Sequence, residues 1–221
     1  MPTPKERLSH LLELAAQGPE QRAALAGEVA DLLLDWPAQY PGAMRDTFEA
    51  LLQKIAREMK YGARIQLAAR FEGRSDASLA LLNELFLAAS TDMKDVILTR
   101  NAAAGDSGFV SIDDGALLDA ARARQDLAEA LTRVTGVPQA IAADIAVDTS
   151  GRSLATVCKG ANINRATYSA LIVLAGPARS PEDNFPLLQV FDRVPASGAA
   201  RLLAFWRGHQ DATPEHREVA A

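Results

Sequence analysis

Apolar residues recur along this chain at three- and four-residue intervals, and almost every stretch of that rhythm ends at glycine, proline or a polar turn. Leu8, Leu11, Leu12 and Ala15 make one stripe, which predicts a first helix from about Pro4 to Gly18-Pro19. Leu25, Val29, Leu32 and Leu33 make a second over about 19–35, stopped by Trp36-Pro37 because a residue before proline avoids the helical region. The clearest amphipathic segment follows Tyr40-Pro41-Gly42. There Met44, Phe48, Leu51, Leu52, Ile55 and Met59 lie on one face, and Arg45, Asp46, Glu49, Gln53, Lys54 and Arg57 fall off it and are expected in water. Gly62 is expected to interrupt, ahead of a short helix with Ile65, Leu67, Ala68 and Phe71. Gly73-Arg74-Ser75-Asp76 reads as a turn carrying a helix cap. Leu79, Leu82, Leu85 and Phe86 mark the next helix, and Ser90-Thr91-Asp92 opens another with Met93, Val96 and Ile97.

The main break is the glycine-containing polar stretch 101–110, NAAAGDSGFV, expected as an exposed loop. Ser111 and Asp114 beyond it have the polarity of a capping box. Helices carrying Leu117-Leu118, then Leu127, Leu131 and Val134, then Ile141 and Ile145 follow, with turns at 135–138 and 148–151. Two more are expected over 154–160 and 165–175. Ser180-Pro181-Glu182-Asp183 is a strong helix start: a cap serine, proline at the first position, and acids at the positive dipole end. Leu187, Leu188, Phe191 and Val194 line that helix, and Leu202, Leu203 and Trp206 line the last. The total is roughly a dozen helices and no alternating strand pattern. The fold class is therefore all-α. The paired rhythm of the first hundred residues suits a HEAT-like helical repeat, an α-α superhelix, followed by a second helical lobe. A compact irregular bundle is the alternative. Three segments are expected: a repeat-like lobe over 4–101, a second lobe over 111–208 that could be continuous with the first, and a flexible tail over 209–221.

Composition supports helices. Of 221 residues 48% are hydrophobic but 5% aromatic, so alanine carries much of the apolar share and lets helices approach closely. The net charge of −5 argues against a general nucleic-acid coat or an anionic-membrane binder. The longest apolar run, 170–175, is far short of the ~20 residues needed to span a bilayer. One cysteine, Cys158, excludes an internal disulfide, and MPTPKERLSH has no apolar leader core. A reducing, cytoplasmic setting without membrane contact is expected.

Little catalytic chemistry is visible. Of three histidines, His209 and His216 fall in the expected tail and His10 stands alone. Metal-ligand spacing and a glycine-rich phosphate loop are both missing. Cys158 sits in an apolar helix and reads as core. Asp144 and Asp148 lie one turn apart and could hold a hard cation, although a solvated acidic face explains them as well. Asp113-Asp114 and Glu182-Asp183 read as helix-start charges. No cofactor is expected.

The segment 154–171, LATVCKGANINRATYSAL, fits a helix-turn-helix. Leu154, Val157, Ala161, Ile163, Tyr168 and Leu171 then fall on buried positions, Cys158 takes the small position, and Asn162 sits at the tight turn, where asparagine tolerates left-handed backbone. Asn164, Arg165 and Thr167 would open the second helix, where base or phosphate contacts are made, with Arg152 and Lys159 adding positive charge. A plain helical hairpin in an all-α core satisfies the same pattern.

Several stretches, namely LLELAAQGPEQRAALAGEVADLLL (11–34), IQLAARFEGRSDASLALLNELF (65–86), VILTRNAAA (96–104), GRSLATVCKGANINRATYSALIVLAGP (151–177) and FDRVPASGAARLLAFWR (191–207), resemble a bacterial all-helical family with HEAT-like repeats, the domain of unknown function number 2336. The resemblance spans most of 11–207 and implies an intracellular helical protein. It supplies no catalytic residues. The stretch from Asp92 lacks that family's acid-rich repeat character, and 105–110 looks inserted.

These patterns lead to three function classes. The first is a non-enzymatic adaptor or regulatory scaffold that binds a protein partner on a helical surface. The second is a DNA-binding regulator that uses Arg152, Lys159, Asn164, Arg165 and Thr167. The third is a small-ligand binder or enzyme whose site is assembled from residues distant in sequence.

Overall fold

The computed structural model describes residues 21–105, 108, 112, 114–123, 126–175 and 180–209. The expected first helix with His10, the centre of the 101–110 loop, Ser111, Asp113, His216 and the rest of the tail from 210 lie outside the described residues. The chain is all-α, with twelve α-helices and no strand among the described residues. None of these helices is long and apolar enough to cross a membrane. The chain divides into two compact units, Met1–Met93 and Lys94–Ala221.

In the first unit, α1 (Arg22–Leu34) buries Leu25, Val29, Leu32 and Leu33, the expected stripe. It packs on α2 (Gly42–Glu58) and α3 (Tyr61–Arg70), and α2 packs on α4 (Leu79–Leu85), which runs into a short 3-10 turn, Phe86–Ala88. The buried face of α2 is turned relative to the expected one. Leu52, Ile55 and Ala56 are buried, Met44 is exposed, and Glu49 joins the buried face. The cause is polar. Glu49 accepts the Ser78 N–H at 3.1 Å and Arg45 Nε at 3.3 Å, so its carboxylate is satisfied where it lies. Ser78, not Ser75 or Asp76, caps α4 by accepting the Leu81 N–H. Asp76 instead holds Arg45 at 2.9 Å and Arg74 at 3.1 Å. Gly62 does not break the chain; the break falls at Met59 and Lys60, and Gly62 lies inside α3. Arg70 of α3 reaches α1, pairing with Asp31 at 2.6 Å and donating to the Gly27 carbonyl at 3.2 Å.

α5 (Thr91–Ala103) carries the division between the units. In the second unit follow α6 (Gly115–Arg122), α7 (Leu127–Thr135), α8 (Gln139–Val147), α9 (Arg152–Gly160), α10 (Arg165–Leu174), α11 (Pro181–Arg193) and α12 (Ala196–Arg207). α9 packs against α8, α10, α11 and α12, so apolar side chains surround it. Residues 153–158 of α9 are all buried. The Ser180 cap on α11 forms as expected, accepting the Asp183 N–H at 3.2 Å. Asp114 does not cap α6; its carboxylate is used elsewhere. His209, expected in the tail, closes α12 instead: Nδ1 lies 2.9 Å from the Phe205 carbonyl oxygen and its ring meets the Phe205 ring edge-on at 4.8 Å.

α12 lies very close to its neighbours. A Cβ built on Gly198 would stand 2.2 Å from the Leu98 carbonyl oxygen of α5, and one on Gly160 would stand 2.6 Å from the Ala199 carbonyl oxygen. Both obstacles are helix backbone, which cannot swing aside. Glycine is therefore required at each position by space, despite its cost to a helix interior of ~1 kcal/mol relative to alanine.

This packing fixes the sign of two substitutions. Gly198→Ala and Gly160→Ala should each destabilise the protein by about 1–3 kcal/mol in urea unfolding, the overpacking outweighing the gain in helix propensity. Gly62→Ala, where nothing lies within 4 Å, should leave stability unchanged or raise it. Wild-type stability in both crowded variants would refute the close approach.

Candidate functional site

The 154–171 segment forms a helical hairpin, α9–turn–α10. Leu154, Val157, Cys158, Ala161, Ile163, Tyr168 and Leu171 are all buried, as the helix-turn-helix alignment requires. The turn is a complete Schellman motif. Asn162 is left-handed at φ 56°, its N–H bonds the Lys159 carbonyl at 3.1 Å, and the Ile163 N–H bonds the Cys158 carbonyl at 2.8 Å. Asn164 then caps α10, its Oδ1 accepting the Thr167 N–H at 2.9 Å. Helix α9 starts from Gly151, also left-handed at φ 69°.

The five candidate nucleic-acid residues separate into two groups. Arg152 lies at the far end of α9 and makes a two-pronged bond to Asp95, both contacts 2.8 Å. Thr167 is buried, and its hydroxyl donates to Asp114 at 2.6 Å. Lys159, Asn164 and Arg165 do come together. With Asn162, Phe191 and Ala196 they line an open groove of about 580 Å³. Lys159 Nζ sits 4.4 Å from the Phe191 ring centroid, a cation–π contact, and that ring stacks on Tyr168 at 5.1 Å. Arg165 Nε faces Asp192 at 3.1 Å, both side chains about half exposed. Asn164 Nδ2 donates to Asp114 at 3.1 Å. Phe191 and Ala196 come from α11 and α12, and no sequence signal links them to the hairpin. Asn162 is legible as a turn residue but not as a groove residue.

The nucleophiles and acids with chemical potential are used inside the fold. Burial, helped by the charge of Asp114, pushes the Cys158 thiol well above the ordinary cysteine range, so it stays protonated. Burial also pushes the Tyr168 hydroxyl up, and it donates to the Leu187 carbonyl at 2.7 Å. Lys94, Asp148 and Ser153 form a group whose composition resembles a serine–lysine pair. Yet Ser153 is fully buried, and its hydroxyl donates to Asp148 Oδ2 at 2.5 Å. Lys94 Nζ pairs with the same oxygen at 2.8 Å and meets Ser153 Oγ at 3.3 Å. Asp148 also accepts the N–H groups of Ser150 and Ser153, both at 3.0 Å, and so ties down the start of α9. This group is a strut. It also commits Asp148, leaving the Asp144–Asp148 pair without its second cation ligand. Among the described residues no group of histidine, cysteine or carboxylate side chains could hold a metal ion.

Comparison of the chain with family models, with curated proteins and with solved structures returns no match in any of the three.

The strut makes stability depend on pH. Burial opposes ionisation of Asp148, but the Lys94 charge and the serine hydrogen bonds outweigh it and lower its pKa from 3.8 to about 2. A depressed carboxylate stabilises the fold above its unfolded pKa and loses that contribution as pH falls through the folded one. Wild-type protein should therefore lose about 2–3 kcal/mol through this group between about pH 5 and pH 2, read from urea unfolding. Asp148→Asn should lack that component, and an equally steep acid loss in the variant would remove the assignment. Lys94→Met, which leaves the carboxylate buried without its counter-charge, should cost about 3–5 kcal/mol at neutral pH.

Proposed function

We propose that this chain is a non-enzymatic interaction module, an adaptor or regulatory scaffold, that meets its protein partner through the groove at the turn of the α9–α10 hairpin. One contrast carries the reading. Cys158 is buried, and Ser153, Lys94 and Asp148 are bonded to one another with their side chains almost out of contact with water. The groups that line the open groove are an ammonium, a guanidinium, two amides, an aromatic ring and the aliphatic side chains of Ile163 and Ala196. Of these groups the Lys159 amine could serve as a base or nucleophile, but no carboxylate, hydroxyl, thiol or imidazole joins it among the residues lining the groove to complete a catalytic set. The likeness of the five quoted stretches to the domain of unknown function number 2336 fits this reading, as a proposed kinship that adds no activity. Its HEAT-like repeat is likewise a proposal for the first unit, and a cytoplasmic setting is a proposal for the whole chain.

A DNA-binding regulator is the second reading, favoured by the hairpin geometry of α9 and α10. The charges count against it. Arg152 and Arg165 are held by Asp95 and Asp192, and Asp114 lies against Thr167 and Asn164. A phosphate backbone brought to the start of α10 would meet Asp192 and Asp114.

Affinity capture with the full chain separates the two readings. A specific protein should be retained by the wild type and reduced at least tenfold by Lys159→Glu combined with Arg165→Glu. Retention unaffected by that double substitution, or no specific protein at all, would overturn the groove as the partner site. Random-sequence duplex DNA should give no mobility shift at low salt. A shift abolished by Arg165→Ala would establish the regulator instead.

A further inference from the structure

We infer that the groove holds a single carboxylate side chain presented by the partner protein. The inference rests on the interaction reading above and adds the chemistry of the ligand. Lys159 is held by the Phe191 ring, and no carboxylate pairs with it among the described residues. A cation held over a ring and open to a groove remains available to an anion, because the ring supplies attraction without neutralising charge. Arg165 is already opposed by Asp192, yet both side chains are about half exposed and its guanidinium has donors left for a second acceptor.

Two helices begin at this groove. Arg165 is the first residue of α10 and Ala196 the first of α12, and both line it. Their positive dipole ends add roughly half an elementary charge each. They differ in capping. Asn164 serves α10, whereas α12 starts after Pro195 with no side-chain cap. The groove therefore combines two side-chain cations, an uncapped helix start and the amides of Asn162 and Asn164.

The charge balance selects the anion. Lys159 and Arg165 contribute two positive charges, and Asp192 cancels one of them. Asp114, bonded to Asn164, adds a further negative field. Lys159 is the cation of the groove with no carboxylate opposite it among the described residues, and one ammonium suits a single negative charge. A phosphate dianion, or a run of nucleic-acid phosphates, would bring more charge than the site opposes and would be repelled by Asp192 and Asp114. A carboxylate brings one charge and two coplanar oxygens, which an ammonium and a guanidinium can share. At about 580 Å³ the groove has room for an acidic side chain with the backbone that carries it. Charge complementarity thus assigns the occupant to a single acidic side chain of a partner protein.

NMR titration of the isotope-labelled full chain tests this, with N-acetylglutamate N-methylamide as the probe. Saturable shifts are expected at the amides of Arg165, Ala166, Ala196 and Ser197, with the uncharged glutamine analogue giving none. Lys159→Met should weaken binding at least tenfold with the remainder of the spectrum unchanged, and Lys159→Arg should restore most of it. Equal shifts with the glutamine analogue, no saturation, or binding unaltered in Lys159→Met would overturn the carboxylate site. Tighter binding of inorganic phosphate would also overturn it, in favour of a phosphate ligand. Failure here with successful, groove-dependent capture would leave the interaction reading standing and remove only this ligand chemistry. Success here with failed capture would do the reverse.

Discussion

The second unit depends on how closely α12 lies against α5 and α9. Gly198 on the Leu98 carbonyl and Gly160 on the Ala199 carbonyl leave no room for even a methyl group. Close approach of this kind follows from an alanine-rich, aromatic-poor composition, since small side chains set short interaxial distances. It has a consequence for α9. With α12 on one side and α8, α10 and α11 around the others, α9 has little surface for water, and its polar groups need internal partners. Ser153 finds Asp148, Thr156 donates to the Arg152 carbonyl at 2.8 Å, and Lys94 enters from α5 to balance the carboxylate. Crowding and the buried ion pair are thus two sides of one arrangement.

That arrangement places the groove. A buried α9 ends where its Schellman turn projects Asn162, and the turn delivers Asn164 as the cap of α10. Ala196, two residues before Gly198, comes to the same spot because α12 is pinned there by its glycine. Phe191 arrives from α11, stacked on Tyr168, and gives Lys159 a surface to rest on. Asn162, Asn164 and Arg165 face solvent at this point, with Asp192 beside Arg165. The reactive side chains sit deeper, where the fold has used their hydrogen-bonding capacity.

Much of this was legible in the sequence, and the limits have physical causes. Helix periodicity is local, so the all-α class, the Ser180 cap, the left-handed Asn162 and the buried face of the hairpin can all be read from neighbouring residues. Long-range polar pairing is not local. Glu49 looks solvated by its position on the helix, and Ser78 in a distant turn buries it. Asp148 looks like a turn residue or half of a cation site, and Lys94, fifty-four positions away, makes it a strut. Asp114 looks like a helix-start acid and instead serves Thr167 and Asn164 across the unit. Three of the five candidate nucleic-acid residues share one groove, and the carboxylates beside Arg165 and Asn164 there come from α11 and the residue before α6, while Arg152, outside the groove, is paired from α5. A single sequence has no term for those partners. Gly160 and Gly198 show the same limit: a glycine inside a helical pattern reads as a weakness until the backbone it admits is known.

Native-state hydrogen exchange of residues 94–209 tests the central dependence most directly. If the close packing of α12 on α9 and α5 holds the second unit together, the amides of Val157, Cys158, Leu202 and Leu203 should be among the slowest to exchange. They should open together, at the free energy of global unfolding. Exchange of these amides at a lower opening free energy than those of α7 and α8, or separate opening of α9 and α12, would contradict the account.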